Sequence, residues 1–209
     1  GRPLQADESE PYKVAKSINI MGVKHAVITS VDRDDLKDGG SIIWAKTVNV
    51  IREINPNTTL ETLIPDFKGE KESINRIINV APEVVSHNLE TVRRLTREVR
   101  IQAKYDRSLE VLEYLKNNGV DRTKSGIMLG LGETKNEVIE TLNDLRNVNV
   151  DIVTLGQYLQ PTKNHLEVKE FISPEQFKEY EIVGKDLGFR HVESGPLVRS
   201  SYKAHKHIA

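Results

Sequence analysis

Cysteine is absent from the 209-residue chain. Within these residues there is no disulfide, and no thiolate for a metal or a cluster. Aromatic residues make up only 5%, too few for a base-stacking platform. Neither sign of charge dominates: 30 Lys and Arg against 31 Asp and Glu leave a net charge of −1, so there is no basic footprint for nucleic acid. No apolar run approaches the length of a membrane span. The start, Gly1-Arg2-Pro3-Leu4, has neither an initiator Met nor the apolar stretch of a signal peptide. The expectation is a cytoplasmic protein with no membrane or nucleic-acid partner, and the missing initiator points to a piece of a longer chain.

What is present is concentrated between Thr123 and Glu133. The apolar core Ile127 to Leu131 carries Gly130 and Gly132 at its end, then Glu133, and a helix follows at once. This pattern predicts a buried parallel strand whose C-terminal end opens backbone N–H groups and one carboxylate onto a ligand. Two residues without Cβ let a flat ring or a sugar approach the main chain, and Glu133 can accept from an amine or a hydroxyl.

Strand-like and helix-like segments alternate along the whole length. Apolar runs predict strands over 25–31, 58–64, 84–89, 127–131, 151–159 and 190–194. Helical spacing predicts helices after Gly40, over 70–80, 92–97 and 108–117, and after two capping signatures, Thr134-Lys135-Asn136-Glu137 and Ser173-Pro174-Glu175-Gln176. Such alternation predicts one α/β domain over 1–202 with a parallel sheet, open or closed into a partial barrel. The basic tail 203–209 is expected to be disordered. Polar residues sit just past the strands, among them Asp32, Asp66, His87, Asn88, Glu90, Gln157, Gln160 and Arg199. Parallel strands would bring all of them to one mouth.

Several familiar motifs fail. Gly130-Leu131-Gly132 begins a dinucleotide fingerprint, but its third glycine position holds Lys135. Asp32-Arg33-Asp34-Asp35 would open a calcium loop, but the twelfth position is Ile43 rather than Glu, so the run reads as solvated charge. The 6 histidines show no metal-binding spacing and read as packing or surface residues. Ser200 and Ser201 have no histidine base that can be placed beside them, so a serine nucleophile is not supported. A serine oxygen can also ligate iron.

Taken together, Thr29 to Leu36 with Asp38-Gly39-Gly40, Pro65-Asp66-Phe67, His87 to Val92, Thr123 to Glu133, Gly156 to Pro161 and Gly195 to Tyr202 resemble the lipoyl synthase family, in family order and at family spacing. The resemblance implies a partial (β/α)6 TIM-like barrel of the radical S-adenosylmethionine (SAM) type with its first strand missing. It implies insertion of two sulfur atoms at C6 and C8 of an octanoyl chain on a lysine of a lipoyl carrier domain. Hydrogen would be abstracted by a 5′-deoxyadenosyl radical made at one 4Fe–4S cluster, and a second 4Fe–4S cluster would be consumed as sulfur donor. The implied partners are an octanoylated carrier (a 2-oxoacid dehydrogenase E2 or a glycine cleavage H protein) and an electron donor.

By the same resemblance, Gly130, Gly132 and Glu133 pack against adenosine, Gln157 and Gln160 line adenine, and Asn88, Glu90 and, more weakly, Lys124 and Ser125 contact SAM or the reacting region. Ser200 or Ser201 would ligate the auxiliary cluster, with Ser200 favoured, and Arg199 would hold or release that serine. The family's two cysteine triads have no counterpart here. The chain is therefore expected to begin just downstream of them and to be inactive alone. The rival expectation is a non-catalytic barrel that binds SAM or a carrier domain. A Schiff-base aldolase using Lys124 ranks last, because Lys124 stands at a strand start.

Overall fold

The computed structural model describes residues 4–100, 102 and 104–208. The motif Gly1-Arg2-Pro3 and the terminal Ala209 lie outside the described residues. Helix α1 (Glu10–Met21) leads into β1 (His25–Thr29), α2 (Ser41–Ile54), β2 (Thr59–Leu63), α3 (Lys71–Val80) and β3 (Val84–Ser86). The short α4 (Thr96–Val99) and α5 (Tyr105–Asn117) precede β4 (Thr123–Leu129), α6 (Lys135–Asn147), β5 (Ile152–Gln157), α7 (Pro174–Asp186) and β6 (His191–Gly195). All 6 strands pair parallel in sequence order, leaving β1 and β6 as the edges.

The face of the sheet toward the helices is apolar. Leu60 of β2 packs with Ala15, Ile18, Val48 and Ile51, and Leu129, Val153 and Leu155 pack with Leu142, Leu145 and Phe177. The inner face is polar: Glu61 of β2 meets Lys124 of β4 across it, at 2.7 Å. This contact across the intervening β3 fits a sheet curled toward its polar face, as in a partial barrel.

Local chemistry explains the elements. Thr134 and Glu137 form the expected capping box on α6, and the Ser173 hydroxyl accepts from Gln176 N at the start of α7. Asp38 caps α2: its carboxylate accepts from Gly40 N and Ile42 N. Helix α1 was not anticipated. Its buried stripe is only Pro11, Ala15 and Ile18, although Pro11 near its start and left-handed Gly22 at its end are proper start and stop signals.

Several boundaries differ from expectation, three of them near the site. Strand β3 ends at Ser86, because the His87 ring turns to bond Ile64 O and Ser108 Oγ, both at 2.9 Å. The chain bulges through Asn88 and rejoins β4 at Glu90, which has φ +67° and bridges Ile127. Strand β4 begins at Thr123, so Lys124 lies inside it, while β5 stops at Gln157.

The tail is a correction. Residues Ala204–Ile208 form a 3-10 turn, and His207 is fully buried with Nδ1 3.5 Å from Lys124 Nζ and 3.9 Å from Glu61 Oε2. A polar inner face attracts a polar plug, so this segment packs rather than frays. Among the described residues no helix is long and apolar enough to cross a membrane.

Candidate active site at the barrel mouth

At the C-terminal ends of the strands lies a cavity of about 480 Å³. Its walls come from Asn88 and Glu90 after β3, Gly126 and Met128 of β4, Thr154 and Gly156 of β5, and Val198 to Ser200 after β6. Cavities of similar size lie at the outer edge of β6 and beside β1 and α2. Only the first collects residues from four strand ends, the position where parallel α/β folds place chemistry.

The floor is set by Gly126. A Cβ there would stand 2.4 Å from Thr154 Oγ1 and 3.2 Å from Asn88 Oδ1, so the bare glycine lets these two polar groups converge. Asn88 Nδ2 donates to Glu90 Oε1 at 3.2 Å, but Asn88 Oδ1 is buried without a partner. Burial pushes the Glu90 carboxyl above its ordinary value, against the opposing hydrogen bond from Asn88. An unpaired acceptor beside a carboxyl short of solvation is a receptive place for a donor-rich or cationic ligand.

Other residues singled out from sequence are occupied by the protein itself. The Glu133 carboxylate folds back to accept from Gly130 N at 2.6 Å and Leu131 N at 2.9 Å, so the turn's N–H groups are closed by its own side chain. Gly130, at φ +97°, lies under the loop between β5 and α7, and a Cβ there would meet Glu170 O at 2.3 Å and Gln157 Nε2 at 2.4 Å. Gly132 carries φ +102° with open space, its nearest neighbour being Lys169 Cγ at 3.6 Å.

The two glutamines stitch that same loop. Gln157 donates to Tyr158 O and Glu170 O and accepts from Ile172 N, while Gln160 donates to His165 O. Their amides are thus spent on backbone rather than aimed at a ring. Ser125 Oγ accepts from Leu89 N, inside the fold.

Lys124 does not reach the mouth. Its ammonium is fully buried against Glu61 and donates to the carbonyl of Ser200. Burial lowers its pKa while Glu61 pulls the other way. A Schiff-base role for this lysine is set aside, since no carbonyl substrate can approach it. Arg199 anchors its guanidinium on Gln157 O at 3.3 Å and Val198 O at 2.9 Å. Ser200 lines the cavity, whereas Ser201 is exposed.

Sequence reasoning missed Glu61, Thr154 and His207, and gave Gly156 no role of its own. Glu61 had a signal: a carboxylate inside the apolar-edged run Thr59-Leu60-Glu61-Thr62-Leu63 needs a buried cation. Among the described residues no group of three His, Cys, Asp or Glu side chains is placed to hold a metal ion. With no cysteine in the sequence, the residues present do not form a ligand set for an iron–sulfur cluster.

Comparison with known proteins identifies the family and the fold. The profile of the radical SAM superfamily matches residues 1–145. A lipoyl synthase of Flavobacterium johnsoniae is 74% identical over 208 residues, covering 100% of this chain and 72% of that protein. The mitochondrial lipoyl synthase of Nematostella vectensis gives the same 74% identity and 72% coverage, and that of Christiangramia forsetii 71% and 71%. Among solved structures, the FeFe-hydrogenase maturase HydG of Carboxydothermus hydrogenoformans superposes with TM-score 0.65 at 14% identity, over 98% of this chain and 58% of that one. Streptococcus suis SuiB bound to S-adenosylmethionine gives TM-score 0.66 at 13% identity, over 98% and 47%. At such identities these two establish the fold alone.

Proposed function

Since this chain belongs to the radical SAM superfamily and, within it, to the lipoyl synthases, we propose that the cavity at the strand ends is where SAM binds beside the octanoyl chain to be sulfurated. The family's activity is radical-dependent synthesis of the lipoyl cofactor on a lipoyl carrier protein. SAM bound there would supply the hydrogen-atom abstraction that opens the substrate chain to sulfur.

Asn88 carries this reading. A buried amide oxygen without a partner costs about 1–3 kcal/mol, and a hydroxyl or amine donor of the ligand removes that cost. Glu90 beside it offers an anion to the cationic end of SAM, and Thr154 adds a hydroxyl across Gly126. Gly130, Gly132, Glu133, Gln157 and Gln160 act one step back, by fixing the turn and the loop that wall the cavity and exclude water. Arg199 and Ser200 face the reacting side: Arg199 is tied to Gln157 O and Val198 O, and Ser200 borders the open volume.

Iron–sulfur chemistry belongs to the superfamily, yet these 209 residues carry no thiolate for it. In this reading the sulfur ligands of both 4Fe–4S clusters would not come from these 209 residues, one of Ser200 and Ser201 would add an oxygen ligand, and the 209 residues alone form no lipoyl product. The carrier is an octanoylated E2 or H-protein domain, and an external electron donor completes the reaction.

The test is the complete protein reconstituted with iron and sulfide, supplied with SAM, a reductant and an octanoylated carrier domain. Deoxyadenosine and lipoyl product are expected, and the absence of both overturns the reading. In equilibrium dialysis, Asn88→Leu should weaken SAM binding about tenfold, the equivalent of one good hydrogen bond. Unchanged affinity would move the site elsewhere.

A further inference from the structure

The segment after β6 crosses the barrel from its edge toward its middle, and two features meet it there. From β5, Gly156 gives way: a Cβ at that position would stand 2.3 Å from Val198 O, so only a residue without a side chain lets the crossing chain lie on the strand. From β4, the Lys124 ammonium rises from the sealed interior and donates to Ser200 O. That ammonium is held by Glu61 at 2.7 Å, both groups fully buried, and His207 closes the pair from the far side.

Ion pairs this deep are weak devices for stability, because desolvation offsets most of the attraction. A lysine that spends one N–H on a carboxylate and another on a single loop carbonyl is suited to fixing that loop. We infer that Gly156 and the Glu61–Lys124 pair form a seat for the Arg199-Ser200-Ser201 segment, making Glu61, Lys124 and Gly156 positioning residues for the reacting edge of the cavity. The seat holds the backbone of Ser200, so the side chains of Arg199 and Ser200 face the cavity from a fixed frame. The positioning itself follows from geometry, and its importance for sulfur insertion rests on the function proposed above.

The decisive variant is Glu61→Leu combined with Lys124→Met, since an apolar pair of similar volume keeps a buried site filled where a single change would strand a charge. Hydrogen exchange read by mass spectrometry should show peptides spanning 196–203 exchanging about tenfold faster, with β2 to β5 unchanged, as a local rather than global opening. Gly156→Ala, which leaves the ion pair intact and displaces Val198, should accelerate the same peptides and serves if the double variant does not fold. Unchanged exchange at 196–203, or equal acceleration across β2 to β5, overturns the seat.

In the reconstituted protein the ratio of deoxyadenosine to lipoyl product should rise several-fold in both variants. A merely structural loss would lower both products together and would count against positioning. Failure of the functional reading is distinct: the unmodified protein would then make no deoxyadenosine, whatever its exchange pattern.

Discussion

Glu133 and Gly130 are bound to each other across a single turn, with Oε1 of the carboxylate 2.6 Å from the glycine N–H and Oε2 2.9 Å from that of Leu131. The turn is thereby closed before any ligand arrives. Replacing the acceptor leaves two N–H groups competing for water at the end of β4. Glu133→Ala should lower stability by about 2 kcal/mol, a figure already reduced for the half-exposed position of the carboxylate. Urea unfolding of the two proteins reads this directly, and an unchanged midpoint would mean that the turn is held by other contacts.

Gly130 and Gly132 separate by the same logic. Both lie at positive φ, where a Cβ is strained. At Gly130 the added atom also collides with Glu170 O and the Gln157 amide, while at Gly132 it finds room. Gly132→Ala should cost about 1–2 kcal/mol from the backbone alone. Gly130→Ala should cost about 3–5 kcal/mol and should release the loop from Gln157, visible as faster proteolysis within 160–173. Equal costs would show that the loop yields freely.

Much of the fold was legible because its signals are local. Apolar runs such as Val27-Ile28 and Val153, with Pro or Gly punctuation, located the strands, and the Thr134 and Ser173 caps located two helices. Strands were overextended where a side chain ends the pairing, as His87 does on β3. The convergence of Asn88, Glu90 and Arg199 on one mouth followed from parallel strands alone. The closed roles of Glu133, Gln157 and Gln160 did not, because a polar side chain that bonds the protein's own backbone looks in sequence like one that bonds a ligand. The seat under Ser200 was illegible for another reason: Glu61, Lys124 and His207 come from three distant segments, and only the curl of the sheet brings them together.

His87 ties the end of β2 to α5. A carbonyl can only accept, so Nδ1 carries the hydrogen toward Ile64 O, and Nε2 accepts from the Ser108 hydroxyl. Burial lowers the imidazole pKa below its ordinary 6.5 and keeps the ring neutral. The sign follows: the unfolded chain binds the proton more readily, so stability is full above the unfolded value of 6.5 and declines as the pH falls below it. His25 and His191 are lowered too, also chiefly by burial. His87→Leu should cost about 1–3 kcal/mol at neutral pH through two stranded partners, and should shallow the decline of Tm between about pH 6.5 and 5 without abolishing it. An unchanged slope would mean that the ring titrates normally.

Glu90 carries the opposite consequence. Its carboxyl is raised above 4.5, first by burial, with the Asn88 amide opposing. The folded protein therefore holds this proton more tightly than the unfolded chain does, and stability falls as the pH rises from 4.5 through the raised value. Glu90→Gln removes the penalty: the variant should melt higher than the parent at pH 7–8, with the gain fading toward pH 4.5. Ligand binding turns the same fact around. A cationic ligand beside Glu90 favours the carboxylate, so SAM binding near the raised pKa should release protons, up to one per site. Calorimetry in buffers of different ionisation enthalpy counts them. Glu90→Gln should bind more weakly and release none. A parent protein that binds SAM with no proton release at any pH above 4.5 would show that Glu90 does not face the cationic end of the ligand.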